Sequence, residues 1–473
     1  MNILFAASEV TPFAKSGGLA DVSGSLPKAL KKLGINVCVV MPKYKSINQE
    51  YLRDLKYLGG FETSLSWRSQ RAEIYVKEGF VPVYFIENEY YFGRDGFYGY
   101  GDDNERFTFF DKAVIEMLPL LDFVPDVIHC NDWQTGLIPM LLKKVYNGML
   151  MLQNIKTVYT IHNLQYQGNF PSDSVNIVGV PLDGDCEFYG QFSFMKCGLK
   201  FADIISTVSK TYSHEICTYE YGYGMDGILR ERQGVLKGIL NGLDYEINDP
   251  ETDDRIYKHF SAGDFEDKKY NKKMLQEELG LPQRNIPLIS IVSRFADQKG
   301  FDILGQALDE IMNNDIQLVV LGTGEARYED MLRYFADKYS GKISVTINFD
   351  DVLAQKIYAG SDMFLMPSKF EPCGLGQIIS LRYGAVPIVR KTGGLADTIT
   401  NFNPETGEGN GFVFENYDAY GLIWGVSEAL RIYGMGEDVW KKLVYNAMTS
   451  DFSWENSAKE YIETYENLTG KTE

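Results

Sequence analysis

Short apolar runs, each closed by a glycine, a proline or a polar loop, alternate along this chain with longer segments of helical spacing. The run in 2–8 predicts a strand, the loop 9–18 follows, and a helix over 19–33 stops at Gly34. The run 37–41 is the next strand, halted by Pro42, which completes a βαβ unit. Runs at 127–130, 157–161 and 203–208 predict further buried strands, with Pro139 early in an intervening helix and Ser209 capping a helix to about Tyr219. The second half repeats the pattern, with strands at 288–292, 318–321, 344–349, 363–366 and 385–389. A charged helix covers 264–280, another runs over 375–383 to Gly384, and a third covers 453–465. Strands alternating with helices give an α/β fold with parallel sheets. Alternation at 72–76 and 81–86 predicts antiparallel or edge strands instead. The Tyr-, Phe-, Gly- and Asp-rich segment 90–110 is expected to be a surface loop able to offer aromatic faces to a carbohydrate. An insertion over 165–200 is expected to carry a helix at 191–200.

The turn Asn241-Gly242 and the polar stretch 248–254 mark a domain boundary. The predicted division is 1–241, 242–452, and a helical segment 453–473 returning onto the first domain. With 473 residues, two domains are also what core size favours.

In open α/β sheets, ligands bind where strands end and helices begin. The stretch 362–397 offers two such ends in succession, one with Glu371, Pro372, Cys373 and Gly374, the next with Lys391, Thr392, Gly393 and Gly394. Glu371 precedes a helix N-terminus, where it either favours the dipole or meets a ligand. Lys15-Ser16-Gly17-Gly18-Leu19-Ala20-Asp21 echoes 391–397 at the far end of the chain, which suggests two similar domains facing each other across a cleft. Lys15 beside two glycines either grips a phosphate or is a surface lysine in a turn. Asp132 and His162 fall at two strand ends, beside Trp133 and Asn163. Arg294 and Lys299 share a loop before a helix, a placement that suits a diphosphate. Gly324 follows another strand, and Phe349 ends the next, either to stack on a base or to fill the core.

A net charge of −19 argues against nucleic acid or an anionic membrane as partner, and it makes any anion site depend on locally gathered Lys and Arg. The six cysteines have no CxxC spacing, and the four histidines are scattered, so no metal site is expected. Cys38 and Cys130 read as buried thiols in strands. No stretch is long and apolar enough to span a membrane, and the chain opens directly on a strand, so a cytoplasmic location is expected. The first βα turn lacks GxGxxG, so no dinucleotide cofactor is implied.

Seven motifs in order carry a resemblance: KSGGLADV from 15, HCNDWQTGL from 129, YTIHNLQYQG from 159, GILNGLD from 238, SRFADQKG from 293, FEPCGLGQ from 370 and KTGGLAD from 391. The chain resembles bacterial glycogen synthases and plant starch synthases over nearly its whole length. The resemblance implies the GT-B arrangement, two facing Rossmann-like domains with a deep cleft. It also implies transfer of glucose from ADP-glucose to the non-reducing end of an α-1,4-glucan, with retention and without a cofactor. By motif, Lys15 with Gly17 and Gly18 would meet the donor phosphate and the reacting sugar, and Arg294 and Lys299 would hold the diphosphate. Glu371, Cys373 and Gly374 would contact the glucose hydroxyls, and Thr392 and Gly393 would belong to the nucleotide-sugar site. His162, Asp132 and Asn163 would line the pocket, Asn241, Gly324 and Phe349 would lie near the nucleotide, and Asp21 would reach the acceptor.

Ser16 stands where threonine is usual, and Ile379 where many retaining GT-B enzymes have a second glutamate. The glycogen and starch synthases share that second departure. Retention is expected through same-face attack, with Asp132 as a nucleophile the alternative. Closure of the 15–21 loop onto the donor, seen as compaction in scattering, is expected with ADP-sugar. The competing readings are a UDP-glucose enzyme of the same fold, a non-catalytic glucan-binding protein, and a phosphorylase.

Overall fold

In the computed structural model, which describes residues 1–471, the apolar runs become the inner strands of two sheets, each in its own unit. One unit is Met1–Gly242 together with the segment from Trp454 onward, and the other is Leu243–Ser453.

The first unit contains β1 (Asn2–Ala6), β2 (Asn36–Pro42), β3 (Lys56–Ser64), β4 (Ser69–Lys77), β5 (Val83–Glu87), β6 (Val127–Asn131) and β7 (Lys156–Ile161). It continues with β8 (Asn169–Pro171), β9 (Glu187–Phe188), β10 (Gln191–Ser193), β11 (Ile204–Thr207) and β12 (Leu236–Gly238). Nine of these form one sheet in the order β12-β11-β7-β6-β1-β2-β5-β4-β3. Pairing is parallel from β12 through β5, and β4 and β3 close the edge antiparallel. The parallel strands are buried on both faces, which is why they read as unbroken apolar runs. Residues in β4 alternate in burial because only one face is covered. Its partner β3 went unread in the sequence, since most of its positions are exposed or half-buried.

Three expectations fail in this unit. The segment 90–110 is not a surface loop throughout, because the helix Asp103–Glu116 claims its second part and most of its rings are buried or half-buried, with Tyr90 alone exposed among the rings of this segment. Tyr91, Phe92, Phe107, Phe109 and Phe110 are wholly buried. Arg106 is buried with them, donating to the carbonyls of Tyr91 (2.8 Å) and Phe97 (3.1 Å) and pairing with Asp103. In the insertion, Gln191–Ser193 is the central strand of a small β8-β10-β9 sheet. The helix begins only at Phe194, where the Ser193 hydroxyl caps it by accepting from Lys196 N at 3.3 Å. Ser209 does cap its helix, but that helix ends at Glu215. Beyond it, Thr218 Oγ1 donates to Glu215 O at 2.7 Å, a side-chain bond that competes with helix continuation.

The helix Trp454–Thr469 belongs to this unit. Ser457 Oγ donates to Leu240 O at 2.5 Å, and the buried Tyr465 hydroxyl meets His129 Nδ1 at 2.7 Å.

The second unit holds β13 (Leu288–Val292), β14 (Gln317–Gly322), β15 (Ile343–Ile347), β16 (Met363–Met366), β17 (Val386–Arg390) and β18 (Phe412–Phe414). They form one parallel sheet in the order β15-β14-β13-β16-β17-β18. Numbered from its own first strand, this is the 3-2-1-4-5-6 order of dinucleotide-binding folds. Helices such as Phe301–Ile311 and Ala419–Tyr433 bury Leu304, Leu308, Leu422 and Val426 in the core with the strands.

Candidate active site

Each parallel sheet has one place where the strand order reverses, and there the loops after two neighbouring strands leave in opposite directions and open a crevice. In the first unit the reversal lies between β1 and β6; in the second it lies between β13 and β16. Lys15, Gly17, Gly18, Asp21 and Asp132 lie on the loops at the first reversal, and Arg294, Lys299, Glu371, Cys373 and Gly374 on those at the second; the other predicted site residues follow neighbouring or edge strands.

In the first unit, the loop after β1 leads to the helix Gly18–Lys32. Glu9 fixes that loop from beneath. Its buried carboxylate accepts from Ser16 N, from Ser16 Oγ at 2.7 Å and from the Tyr98 hydroxyl at 2.6 Å. Ser16 therefore acts through its hydroxyl, the group that threonine would also bring. Glu9 and Tyr98 were not among the residues expected from the sequence. A lone acid just past a strand looks like any loop carboxylate, and Tyr98 was hidden in a segment read as surface. Lys15 and Asp21 are half-exposed and paired at 2.8 Å. A methyl group added at Gly17 or Gly18 would meet nothing within 4 Å. Gly17 has φ −158°, which any residue adopts, so the fold itself does not require glycine there.

Across the reversal, β6 ends in Asn131. Its amide nitrogen donates to Ala6 O at 2.9 Å, tying β6 to β1, and its Oδ1 faces His162 Nε2 at 2.9 Å. An oxygen can only accept, so His162 carries its proton on Nε2 and presents Nδ1 as an acceptor. Burial lowers its pKa to about 3, so the ring is neutral. Asp132 follows at φ +55°, a left-handed conformation that a non-glycine residue holds only when its surroundings enforce it. The enforcement is visible: Oδ1 accepts from His162 N at 2.8 Å and Asn163 N at 3.4 Å. Burial raises the Asp132 pKa to about 7, against the opposing pull of those two amides. Asn241, just past β12, is buried with its Oδ1 lacking any donor among the described residues.

In the second unit, the loops after β13 and β16 are fastened to each other. Lys299 Nζ and Glu371 Oε2 lie 2.6 Å apart, largely buried, and Ser368 Oγ also donates to that oxygen at 3.1 Å. Lys369 N donates to Gln298 O at 2.8 Å, and Gln298 Nε2 reaches Phe370 O at 3.3 Å. Arg294, by contrast, is exposed. The turn after β17 packs beneath the Glu371 loop. A Cβ at Gly393 would lie 1.9 Å from Glu371 O, and one at Gly394 2.1 Å from Cys373 O. Gly393 also has φ +42° and Gly374 φ +74°, so both need glycine for their backbone. Cys373 and Thr392 are buried in this packing. Gly324 follows β14 and packs against Phe295, where a Cβ would stand 2.2 Å from its carbonyl. Phe349, beyond β15, is 77% exposed, so it is not a core ring.

Among the described residues no group of three or more His, Cys, Asp or Glu side chains could hold a metal ion, and no helix is long and apolar enough to cross a membrane. Among the described residues no disulfide joins the six cysteines, and Cys38 and Cys130 are buried.

Known proteins match this arrangement from end to end. Residues 2–231 fit the profile of the starch synthase catalytic domain, and residues 274–446 that of glycosyl transferases group 1. A glycogen synthase from Desulforudis audaxviator (strain MP104C) is 49% identical over 490 residues, covering 100% of this chain and 97% of the relative. One from Clostridioides difficile (strain 630) is 50% identical over 480 residues, covering 99% and 100%. Among solved structures, the catalytic domain of starch synthase IV from Arabidopsis thaliana, bound to ADP and acarbose, superposes with a TM-score of 0.92 at 32% identity over 99% of both chains. Sucrose-phosphate synthase from Thermosynechococcus elongatus shares the fold, with a TM-score of 0.62 at 16% identity over 100% of each chain.

Proposed function

The chain belongs to the glycogen synthase and starch synthase family of two-domain α/β glycosyltransferases, and from that premise we propose how its residues make an α-1,4-glucan. The donor is ADP-glucose and the acceptor is the non-reducing end of glycogen or a shorter α-1,4-glucan. The observation that carries this reading is the second unit's reversal point. There the exposed Arg294 and the Lys299–Glu371 pair lie on the loops after β13 and β16, where a sheet of the 3-2-1-4-5-6 order reverses.

Arg294 and Lys299 take the diphosphate, and their charge stabilises it as it leaves. Lys299 is already held by Glu371, so one bond sets both the cation under the phosphate and the carboxylate beside the glucosyl hydroxyls. Backbone amides around Cys373, Gly374, Thr392 and Gly393 complete the sugar contacts. Gly324, Phe349 and the unsatisfied Asn241 oxygen serve the nucleotide, Phe349 by stacking on the base. Lys15 adds a third cation, exchanging Asp21 for phosphate, and bare Gly17 and Gly18 let the backbone approach the donor. Asp21, released from Lys15, is then available to an acceptor hydroxyl. Neutral His162 accepts a glucosyl hydroxyl hydrogen bond on Nδ1.

In the transfer, the bond from the anomeric carbon to the diphosphate oxygen breaks and its electron pair leaves with ADP. The acceptor O4 attacks that carbon from the same face, and its proton passes to the departing phosphate oxygen. Configuration is retained without a covalent enzyme intermediate. Asp132 suits a positioning role better than a nucleophilic one, because Oδ1 is engaged by the two amides that shape the His162–Asn163 turn.

The test measures nucleoside diphosphate release from ADP-glucose and from UDP-glucose, each with and without glycogen. Glycogen-dependent ADP release with chain extension is expected. A preference for UDP-glucose would change the donor, and isolation of a glucosyl–Asp132 adduct would overturn the same-face route.

A further inference from the structure

Between the helices Phe265–Glu278 and Glu437–Thr449, the second unit holds a cavity of about 670 Å³. It lies at the starts of β13 and β16, whose far ends carry the loops of the candidate active site. Asp362, in its lining, directly precedes β16, and its Oδ2 accepts from Leu288 N, at the start of β13, at 2.8 Å. Roughly 13–17 Å of strand therefore separates this cavity from the loops of Lys299 and Glu371.

The chain carries a net charge of −19, yet six cationic side chains line this cavity against two carboxylates. Four of the six are matched one to one by acids: Lys272 with Asp362 at 2.6 Å, Lys441 with Glu437 at 2.9 Å, Lys269 with Glu266 at 3.0 Å and Arg284 with Asp315 at 2.7 Å. Lys268 and Lys273 are left with no carboxylate partner among the described residues. Lys273 is exposed and its charge is solvated, but Lys268 is buried. A buried ammonium without a counter-charge is costly, and burial lowers the Lys268 pKa to about 7, with Asp362 pulling it up and Lys272 adding to the fall. An ammonium has three donors. Lys268 Nζ gives two of them to Ala359 O at 3.0 Å and Tyr383 O at 2.8 Å. Lys272 Nζ gives two to Ile286 O and Asp362 Oδ2, both at 2.6 Å. One N–H of each is uncommitted, on residues four apart along one helix face and about 6 Å apart along its axis, a spacing that one tetrahedral anion can bridge. Tyr433 and Trp440, with ring centroids 4.9 Å apart, add an aromatic wall.

We propose that this cavity binds a small phosphate monoester carried on a flat ring, its phosphate bridging the free donors of Lys268 and Lys272 and its ring lying against Trp440 and Tyr433. The phosphate supplies the counter-charge that Lys268 lacks, and Lys273 at the rim draws the anion in. The volume suits one such molecule. Because Asp362 and Lys272 join the starts of β13 and β16, an occupant braces the second unit from the end opposite its donor loops. The site does not depend on the proposed transfer reaction.

The experiment titrates the full chain with phenyl phosphate at fixed ionic strength, read by calorimetry and by tryptophan fluorescence, with inorganic phosphate and benzyl alcohol as the two half-ligands. The parent should bind about one phenyl phosphate per chain with a Kd of about 1 mM or below, within reach of so small a ligand. Inorganic phosphate should bind at least about threefold more weakly, and benzyl alcohol should give no heat at the same concentrations. K268M and K272M should each weaken phenyl phosphate about tenfold or more. W440F should remove the fluorescence change while calorimetry still detects binding. R294A, which alters the donor crevice, should bind as the parent does. Thermal unfolding checks each variant, and K273E, at an exposed position, keeps the test open should the buried lysines prove necessary for folding; it should weaken binding about threefold or more. A parent that gives neither heat nor a fluorescence change would overturn the site, as would unchanged affinity in K273E or in folded K268M and K272M. Loss of binding in R294A would place the ligand in the donor crevice and defeat the proposal. Inorganic phosphate binding as tightly as phenyl phosphate would refute the role of the rings.

Discussion

The ion pair between Lys299 and Glu371 is assigned two jobs, fastening two loops and shaping the donor site, and a double-mutant cycle separates them. At 2.6 Å the gross attraction is about 1.6 kcal/mol at the dielectric of water and about 6 kcal/mol at an effective dielectric near 20. Desolvation offsets part of that, but removing one member leaves the other buried and bare, which costs about 3–5 kcal/mol. Glu371 is 5% exposed and retains only the Ser368 hydroxyl at 3.1 Å, while the Lys299 side chain is 17% exposed and admits some water. K299M should therefore cost about 3 kcal/mol, the low end of that range. For a unit of this size that is a fall of about 6–12 °C in its melting temperature. E371Q should cost less, about 1–2 kcal/mol, because the lysine it strands can turn toward solvent. K299M/E371Q should then be about 2 kcal/mol more stable than the sum of the singles. Turnover should not follow stability, and all three variants should lose glycogen-dependent ADP release by at least about a hundredfold. Urea unfolding of the second unit and steady-state ADP release are the two readouts. If K299M unfolds within about 0.5 kcal/mol of the parent, the pair is effectively solvated and the argument for a shared scaffold fails. If the double variant regains activity with stability, the residues are structural only.

The glycines of the twin motifs should respond oppositely. G18A should leave stability within about 0.5 kcal/mol and cut turnover by about tenfold or more, whereas G393A should destabilise the second unit by roughly 3 kcal/mol, both read by urea unfolding beside activity. Asp132 and His162 shift in opposite directions. Between about pH 4 and 7 the folded Asp132 carboxyl keeps a proton that the unfolded chain has released, so this group lowers stability as pH rises through that window. His162 does the reverse, losing stability as pH falls from 6.5 toward about 3. D132N removes only the first effect, so its stability should gain a slope of about 1.4 kcal/mol per pH unit over the parent between pH 4 and 7, and parallel curves would show that Asp132 is ionised there. Y465F should cost the first unit about 1–2 kcal/mol, since His129 Nδ1 loses its partner in a buried pair, and a calorimetric melt of that unit would show it.

The sequence displayed most of the inner sheet. Strands 288–292 and 363–366 were bounded as the structure has them, because a strand buried on both faces reads as a nearly continuous apolar run, broken in the first only by Ser290, whose hydroxyl bonds to Met363 O at 3.3 Å. It displayed least where burial depends on a partner far along the chain. β3 is mostly exposed or half-buried along its length, and the rings of 90–110 look the same whether they face water or the helix that encloses them. Arg106 illustrates the difficulty: nothing local announces that its charge will be neutralised by Asp103 and two carbonyls. Among site residues, those in Gly-rich turns could be picked out, since glycine next to a cation at a strand end has a physical meaning. Glu9 could not, because a carboxylate that accepts three loop donors is defined by those donors.

The same six letters, GGLAD with a lysine before a hydroxyl residue, thus serve two different ends. In the second unit the glycines answer to the protein: Gly393 takes a positive φ, and both Gly393 and Gly394 give way to the carbonyls of Glu371 and Cys373. There the motif is the floor on which the Glu371–Cys373 loop rests. In the first unit the space beside Gly17 and Gly18 is open and their loop is fixed by Glu9 instead. Neither packing nor, at Gly17, backbone conformation requires glycine there, and the proposed function gives it a use by letting the donor approach the backbone. Reading a repeated motif by what a methyl group would strike therefore assigns each copy its task. The buried copy is required by the packing of its own unit, and the bare copy is left open.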